Sequence, residues 1–340
     1  MSNLIIIAIF FCIICFYLFK YYINIANRLE FIDTPNSLSN HKKAVPTGAG
    51  IIFVFLICLI YLLLVIGSKF NYFIIDFPNR HYLFFIAVSL LGILSFVDDI
   101  KNIHPAYRFL AQIIIVFFSI PLLSYDIFYL IPEKLLYLVI LLFWVYIINV
   151  FNFLDGSNGY LTINSLFIFF GYLATKYIDA TQIYDFNFLI ILFFVQFLLI
   201  YLYFNFPKPK IFCGDSGSII TGYIIGYITL NLIFNGYWHV AISLISYPFF
   251  EVTITIIKKM KNGKYPWERL FDYFFLKALN ATNKNHNIIF SISLIYNLAN
   301  FSIILIMLFY ENKYFFIFSI ILSILKIYLF NLITKKNLIT

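Results

Sequence analysis

Two adjacent acids, Asp98 and Asp99, close a long apolar run and are followed at once by Lys101. A charge at membrane depth costs on the order of 2.5–3.5 kcal/mol on insertion scales, so acids in such a place usually mark function. Two carboxylates at a helix C-terminus also oppose the helix dipole and repel each other. A bound cation would relieve both costs, and Mg²⁺ prefers oxygen ligands. The pair is therefore either a solvated helix end or part of a metal site.

Asn149, Asn152 and Asp155 form a second polar set at the end of another apolar run. Their spacing places the two asparagines on one face of a helix and Asp155 beyond its last turn. Gly156 and Gly159 then suit a tight turn close to a ligand. A polar turn between two helices would explain the set, but three polar groups in a segment rich in Phe, Ile and Leu need a partner.

Asp215 belongs to a third set, the string GDSG at 214–217. The string resembles the nucleophile loop of serine proteases, but it opens an apolar helix and no matching His and Asp accompany it. Capping of the helix would explain Asp215. The flanking glycines instead suggest a backbone held near phosphate or metal.

Basic residues complete the candidate set. A Thr-Gly-x-Gly helix start at 47–50 is a ready anion site, and lysine pairs with phosphate as a point charge. The late polar stretch 258–287 combines basic residues with apolar ones at helical spacing, which is typical of an interfacial helix. Positive flanking of membrane helices accounts for the lysines as well. The candidate substrate-binding residues are Lys42, Lys43, Thr47, Lys101, Asn149, Lys264 and Arg269.

The elements that must position these side chains are membrane helices. The chain is 63% hydrophobic and 11% charged, against roughly 45–50% and about 25% in soluble domains. The apolar runs are continuous instead of alternating, which favours helices over a barrel. We expect an all-α, polytopic bundle of about eleven transmembrane helices, with residues 1–340 as a single domain and 258–287 as a cytoplasmic loop.

The distribution of Lys and Arg predicts the orientation of the bundle. The connections after odd-numbered spans, with the C-terminal tail, hold 17 of these residues and the other connections hold 5. Basic loops stay in the cytoplasm, so the C-terminus is predicted to be cytoplasmic and the N-terminus periplasmic. Every candidate cluster falls on an odd connection, so the active site faces the cytoplasm. The net charge of +8 thus needs no nucleic-acid partner.

Taken together, these strings resemble the polyprenyl-phosphate N-acetylhexosamine-1-phosphate transferases of glycosyltransferase family 4, and among them the branch that initiates O-antigen and related surface polysaccharides. The resemblance extends across most of the chain. The matching strings are DTPN at 33–36, PTGAG at 46–50, VDDIK at 97–101, NVFNFLDG at 149–156 and GDSGS at 214–218.

The resemblance implies an enzyme that transfers an N-acetylhexosamine 1-phosphate from a UDP-sugar to undecaprenyl phosphate and releases UMP. It implies a multi-pass protein of the bacterial inner membrane, surrounded by lipids and able to form a homodimer. Its cofactor is Mg²⁺, with Mn²⁺ as an alternative. The implied catalytic residues are Asp98, Asp99, Asn152 and Asp155, the implied metal ligands are Asp215 and Asp98, and the lysine facing phosphate is Lys42 or Lys43.

The sequence departs from the family pattern in its late loop, which usually carries a histidine motif. The equivalent WERLFDY at 267–273 has no histidine, and His286 does not fit the spacing. The departure argues against the peptidoglycan branch, the phospho-N-acetylmuramoyl-pentapeptide transferases, and favours the surface-polysaccharide branch.

A secondary transporter with acidic ion sites is the alternative from a different functional class. Transporters place such acids near the middle of the membrane, on broken helices in repeated halves. Here the acids lie at helix ends on one face, which favours the enzyme. The two hypotheses differ in outcome, since transport moves a substrate without changing it and the enzyme releases UMP.

Overall fold

The computed structural model of the protein describes residues 2–35, 40–41, 43–72, 75, 77–101, 103–123, 132–179, 185–265 and 272–336. These ranges form twelve α-helices and one short β-ribbon. The helices are α1 (Ser2–Arg28), α2 (Gly50–Lys69), α3 (Tyr82–Lys101), α4 (Pro105–Ser119), α5 (Glu133–Leu154), α6 (Tyr160–Ile178), α7 (Phe186–Asn205), α8 (Gly214–Phe234), α9 (Trp238–Lys261), α10 (Phe274–Ala281), α11 (His286–Phe309) and α12 (Phe316–Lys336).

Eleven segments of the described chain are long and apolar enough to cross a membrane, and they correspond to every helix except α10. This confirms the predicted all-α bundle and its number of spans. Large apolar side chains on the outside, such as Phe10, Phe118 and Leu142, are more than half exposed. Such a surface suits hydrocarbon and not water, so the chain is a multi-pass membrane protein. Its orientation remains a prediction.

Helix α8 lies at the centre of the bundle and packs closely against α5. Small residues let membrane helices approach at backbone distance. A Cβ atom at Gly222 would lie 2.8 Å from Cα of Ile148, and one at Gly226 would lie 2.3 Å from the Trp144 ring. The Trp144 indole N–H donates to the Tyr223 carbonyl at 2.8 Å. This close fit fixes the end of α5 relative to the start of α8.

A two-stranded antiparallel ribbon ties the first connection to the same end of the bundle. Strand β1 (Ile32–Asp33) pairs with β2 (Val45–Pro46). The Phe212 N–H donates to the Pro46 carbonyl at 2.8 Å, and the Gly50 N–H donates to the Cys213 carbonyl at 2.9 Å. The segment before α8 is therefore bound to the segment before α2.

Helix α10 is the described part of the predicted interfacial helix. Its side chains at Phe275 and Leu279 are fully buried, and the helix packs against α11 and α12. Its apolar face therefore packs within the protein. Trp267, Leu270 and Phe271, which precede α10 in the same late stretch, lie outside the described residues.

Candidate active site

The start of α8 carries Asp215 and is capped by a side chain from another helix. Asp99 accepts hydrogen bonds from the Asp215 N–H at 2.9 Å, the Ser216 N–H at 3.3 Å and the Ser216 hydroxyl at 3.0 Å. A carboxylate at a helix N-terminus satisfies otherwise unpaired N–H groups and favours the dipole. The predicted catalytic Asp99 is thus engaged in holding α8 against the end of α3.

Gly214 makes this cap sterically feasible. Its φ is +70°, and a Cβ atom there would lie 2.4 Å from Oδ2 of Asp99. Both the left-handed backbone and the contact require glycine.

Replacing Gly214 by alanine is expected to lower stability and activity together, because the added methyl group displaces Asp99. The matched control is Gly263→Ala, since Gly263 has φ +72° and open space around its Cβ position. The strained backbone costs of order 1–3 kcal/mol at either site, so a larger drop in thermal unfolding temperature for Gly214→Ala measures the contact with Asp99. Equal drops would contradict this role of the glycine.

Arg108 brings Asp98 and Asp215 together. One guanidinium nitrogen, Nη1, donates to Oδ2 of both carboxylates, so α3, α4 and α8 converge on one cation. Asp98 is only 6% exposed, and its Oδ1 accepts from the Ile103 N–H at 2.7 Å. The sequence interpretation missed Arg108. A single arginine in the first turn of an apolar helix, three residues after Pro105, was the available signal.

The end of α5 completes the cluster. Asp155 follows the last residue of α5, and its Oδ2 accepts from the Cys213 thiol at 3.3 Å. The Ser218 hydroxyl donates to Oδ1 of Asn152 at 3.1 Å. Asp155 keeps a solvent-exposed face, but the surrounding protein desolvates its carboxyl group. This desolvation, opposed by the Cys213 bond and reinforced by the charge of Asp215, raises the pKa of Asp155 to about 6.

Polar contacts from several distant segments hold the turn between α5 and α6. Asn205 accepts from the Gly159 N–H at 2.6 Å, and the Asn158 carboxamide donates to the Pro207 carbonyl at 3.2 Å. Nδ1 of His286 lies 2.9 Å from the Ser157 hydroxyl, and the Asn40 carboxamide donates to the Gly156 carbonyl at 2.7 Å. His286 supports the turn from the start of α11, a role that the spacing argument overlooked.

The predicted substrate-binding residues differ in their exposure and in their hydrogen-bond partners. Lys43 and Lys101 are exposed, and Thr47 is half-buried with its carbonyl accepting from the Tyr22 hydroxyl at 2.9 Å. Asn149 donates to Gln112 and to the Val145 carbonyl, both at 2.8 Å. Its carboxamide is therefore directed into the bundle, towards α4.

Lys264 pairs with Asp272 at 3.8 Å, and Lys277 pairs with the same carboxylate at 3.8 Å. The predicted residues Lys42 and Arg269 lie outside the described part of the chain.

Of the predicted catalytic and metal-binding residues, the structure brings the following to one end of the bundle: Asp98, Asp99, Asn152, Asp155 and Asp215.

The donor set suits a hard divalent cation that binds with its substrate. Among the described residues, no three His, Cys, Asp or Glu side chains form a preassembled metal cluster. Asp98 and Asp215 nevertheless direct one oxygen each at a single cation, the Arg108 guanidinium. Mg²⁺ is usually held by one or two carboxylates, with waters and substrate phosphates completing the octahedron. Two facing carboxylates meet that need.

Comparisons with known proteins find similar families. The model of glycosyl transferase family 4 matches residues 81–233. That segment runs from the start of α3 almost to the end of α8 and contains every carboxylate of the cluster.

The similar proteins are named as enzymes of two related kinds. An undecaprenyl-phosphate alpha-N-acetylglucosaminyl 1-phosphate transferase of Thermotoga maritima is 26% identical over 90% of this chain and 90% of its own length. A phospho-N-acetylmuramoyl-pentapeptide-transferase of Staphylococcus epidermidis is 28% identical over 78% of this chain and 86% of its own. A probable undecaprenyl-phosphate N-acetylglucosaminyl 1-phosphate transferase of Bacillus subtilis is 24% identical over 70% and 66%. The family-4 match over the carboxylate cluster, together with these relatives along most of the chain, supports the superfamily of polyprenyl-phosphate N-acetylhexosamine-1-phosphate transferases as the one this chain resembles.

Proposed function

We propose that the protein transfers an N-acetylhexosamine 1-phosphate from a UDP-sugar to undecaprenyl phosphate at the cytoplasmic face of the bacterial inner membrane. The products are undecaprenyl-diphospho-N-acetylhexosamine and UMP. The reaction would initiate O-antigen or a related surface polysaccharide. The observation that carries this proposal is the convergence of Asp98, Arg108 and Asp215 beside Asp155, inside the segment that matches family 4.

The chemistry explains why such a cluster is needed. An oxygen of the lipid phosphate attacks the β-phosphorus of the UDP-sugar, and the bond from that phosphorus to the bridging oxygen of UMP breaks. Both reactants are anions, so positioning and positive charge matter more than covalent help. Mg²⁺ bound by Asp215 and Asp98 would supply part of that positive charge.

Arg108 supplies a second positive charge at the same place. Its guanidinium is always protonated and offers several N–H donors in a plane, which suits phosphate oxygens. In the structure it holds Asp98 and Asp215 at one position. We assign Arg108 the role of keeping the two carboxylates in place before the substrate enters and of binding diphosphate oxygens afterwards.

We favour direct displacement over a covalent aspartyl phosphate. The lipid phosphate has a second pKa of about 6 and is mostly dianionic at neutral pH, so it needs little activation. Both oxygens of Asp98 are also engaged, one by Arg108 and the other by the Ile103 N–H. In this mechanism Asp98 orients the lipid phosphate or removes its last proton.

A phospho-N-acetylmuramoyl-pentapeptide transferase is the second candidate, because relatives of that name align with most of the chain. Its donor is a much larger UDP-linked peptide. The missing histidines of the late loop favour the simpler N-acetylhexosamine donor. The two candidates differ only in the sugar nucleotide that is consumed.

An assay of purified protein with undecaprenyl phosphate and a panel of UDP-sugars tests the proposal. We expect UMP release with a UDP-N-acetylhexosamine such as UDP-GlcNAc, UDP-QuiNAc or UDP-FucNAc, and release that requires the added lipid phosphate. Chelation with EDTA is expected to abolish release and added Mg²⁺ to restore it. UMP release with none of these donors, or release that survives full chelation, would contradict the proposed substrates or the proposed metal.

A further inference from the structure

Glu251 and Lys326 are among the charged residues that are buried within membrane-spanning helices away from the carboxylate cluster. Glu251 of α9 is 0% exposed and Lys326 of α12 is 4% exposed. Charges inside membrane helices are costly and are kept where they have a partner and a task. The surroundings of these two residues indicate what the task is.

Lys326 lies in a cage of aromatic rings. Its Nζ is 3.5 Å from the centroid of the Tyr247 ring and 4.4 Å from that of Tyr296. It also donates to Oδ1 of Asn164 at 3.2 Å. Cation–π contacts gain strength when water is excluded, so the ammonium group is stabilised here and fixed in position between α6, α9 and α11.

Glu251 connects the same cage to α10. Its Oε1 accepts from the N–H of Phe275, in the first turn of α10, at 3.1 Å. A carboxylate at the start of a helix is favoured by the helix dipole. Glu251 lies one turn after Tyr247 on α9, and the Tyr247 ring faces Nζ of Lys326. Lys326, Tyr247 and Glu251 therefore form a connected buried group that ends at the first turn of α10.

Helix α10 in turn packs on the turn that carries Asp155. The Phe275 ring stacks on Tyr160 with centroids 4.2 Å apart and planes at 8°, and Tyr160 directly follows that turn. Leu276 approaches Gly156 so closely that a Cβ atom there would lie 2.9 Å from its Cδ2. The Tyr160 hydroxyl is hydrogen-bonded to the hydroxyl of Tyr247, the residue that faces Lys326.

We propose that Glu251 and Lys326 are positioning residues: Glu251 holds the first turn of α10 by its hydrogen bond, and Lys326 holds the Tyr247 ring that supports Tyr160. Together they keep α10 against the 155–159 turn and so keep Asp155 at the carboxylate cluster. Neither residue touches the cluster itself. The inference rests on the proposed function for its effect on catalysis, whereas the placement of α10 can be measured without any substrate.

The test compares Glu251→Gln, Lys326→Met and the double variant with the unchanged full-length protein. Hydrogen–deuterium exchange of the amides in 274–281 reports on α10, and exchange in 214–234 reports on the central helix α8. Glu251→Gln replaces the charged acceptor of the Phe275 N–H by a neutral amide, and Lys326→Met removes the cation beside the Tyr247 ring. We expect each single variant to raise exchange in α10 by about tenfold with little change in α8, and the double variant to raise it at least as much as either.

Turnover is measured on the same samples. A displacement of about 1 Å at a reacting group can cost on the order of 10²-fold in rate. We therefore expect kcat for UMP release to fall by roughly 10- to 100-fold in the single variants, and at least as far in the double variant. The control is Lys176→Met, another buried lysine, which pairs with Asp185 at 3.7 Å near the other end of α6. It should leave α10 exchange and kcat unchanged.

The proposal is wrong if α10 keeps its protection in both single variants, or if exchange rises equally in α8 and α10. It is also wrong if the double variant exchanges more slowly in α10 than either single variant, or if Lys176→Met has the same effect. Failure of the proposed function would be separately visible, because the unchanged protein would then release no UMP while the exchange data still decided the placement of α10.

Discussion

Replacing Asp215 by asparagine is expected to lower kcat for UMP release by about 10²–10³-fold, the range found when one charge-stabilising group is removed from an active site. Asparagine keeps the size of the side chain and the backbone N–H that donates to Asp99. It removes the negative charge that faces Arg108 and would bind the metal. The measurement is UMP release under saturating UDP-sugar and undecaprenyl phosphate.

The control for this substitution is Asp179→Asn, which removes a carboxylate just after the C-terminal end of α6. That residue lies at the end of α6 remote from Tyr160, so we expect the rate of the unchanged protein. Full activity of Asp215→Asn would exclude Asp215 as the metal ligand. A loss of similar size in both variants would indicate a general effect of charge on the fold.

Replacing Arg108 by methionine is expected to have two effects of opposite sign. Hydrogen bonds between charged groups contribute about 1.5–3 kcal/mol, and without them Asp98 and Asp215 repel each other and attract a divalent cation more strongly. We therefore expect the half-saturating Mg²⁺ concentration to fall by about tenfold or more. We expect kcat to fall by roughly 10²-fold, because the charge that would bind the diphosphate is gone.

A titration of UMP release against Mg²⁺ measures both effects at once. Arg28→Met is a matched control, because Arg28 is an exposed arginine in the last turn of α1. Arg108→Lys should retain more turnover than Arg108→Met, since it keeps the charge but not the planar set of donors. An unchanged Mg²⁺ requirement in Arg108→Met would show that the guanidinium and the metal do not share the two carboxylates.

The fold could be predicted from the sequence because the bilayer restricts the choices. A continuous apolar run of about twenty residues has one stable form in hydrocarbon, a helix that satisfies its own backbone. The apolar runs before Asp98 and before Asp155 therefore formed helices, and these helices, α3 and α5, end at Lys101 and Leu154. Because successive spans alternate in direction, the polar clusters on odd connections were expected at one face.

The different contacts of the two adjacent acids, Asp98 and Asp99, could not be predicted from the sequence. Asp98 and Asp99 are equivalent in a sequence, yet successive residues of a helix point about 100° apart. Asp98 faces α4 and binds Arg108, whereas Asp99 faces α8 and caps it. Which acid binds Arg108 and which caps a helix depends on the neighbours that the bundle places on each side.

For the same reason, the sequence could not predict which distant residues contact the side chains of the site. Arg108 is 107 residues from Asp215, and His286 is 129 residues from Ser157. Nothing in local composition pairs such residues. Glu251 and Lys326 were also hidden, since each appears as an isolated charge in a helix until α9 and α12 pack together.

Hydropathy and motif spacing, by themselves, determined that this chain is a bundle of eleven membrane helices with acids and amides at the ends of α3 and α5 and at the start of α8. Both are local properties, fixed by the cost of burying backbone and charge in hydrocarbon. Only the tertiary structure decided that Arg108 joins Asp98 to Asp215 and that Asp99 caps α8. Those choices depend on helix rotation and on close glycine contacts, which side-chain packing sets across the whole bundle.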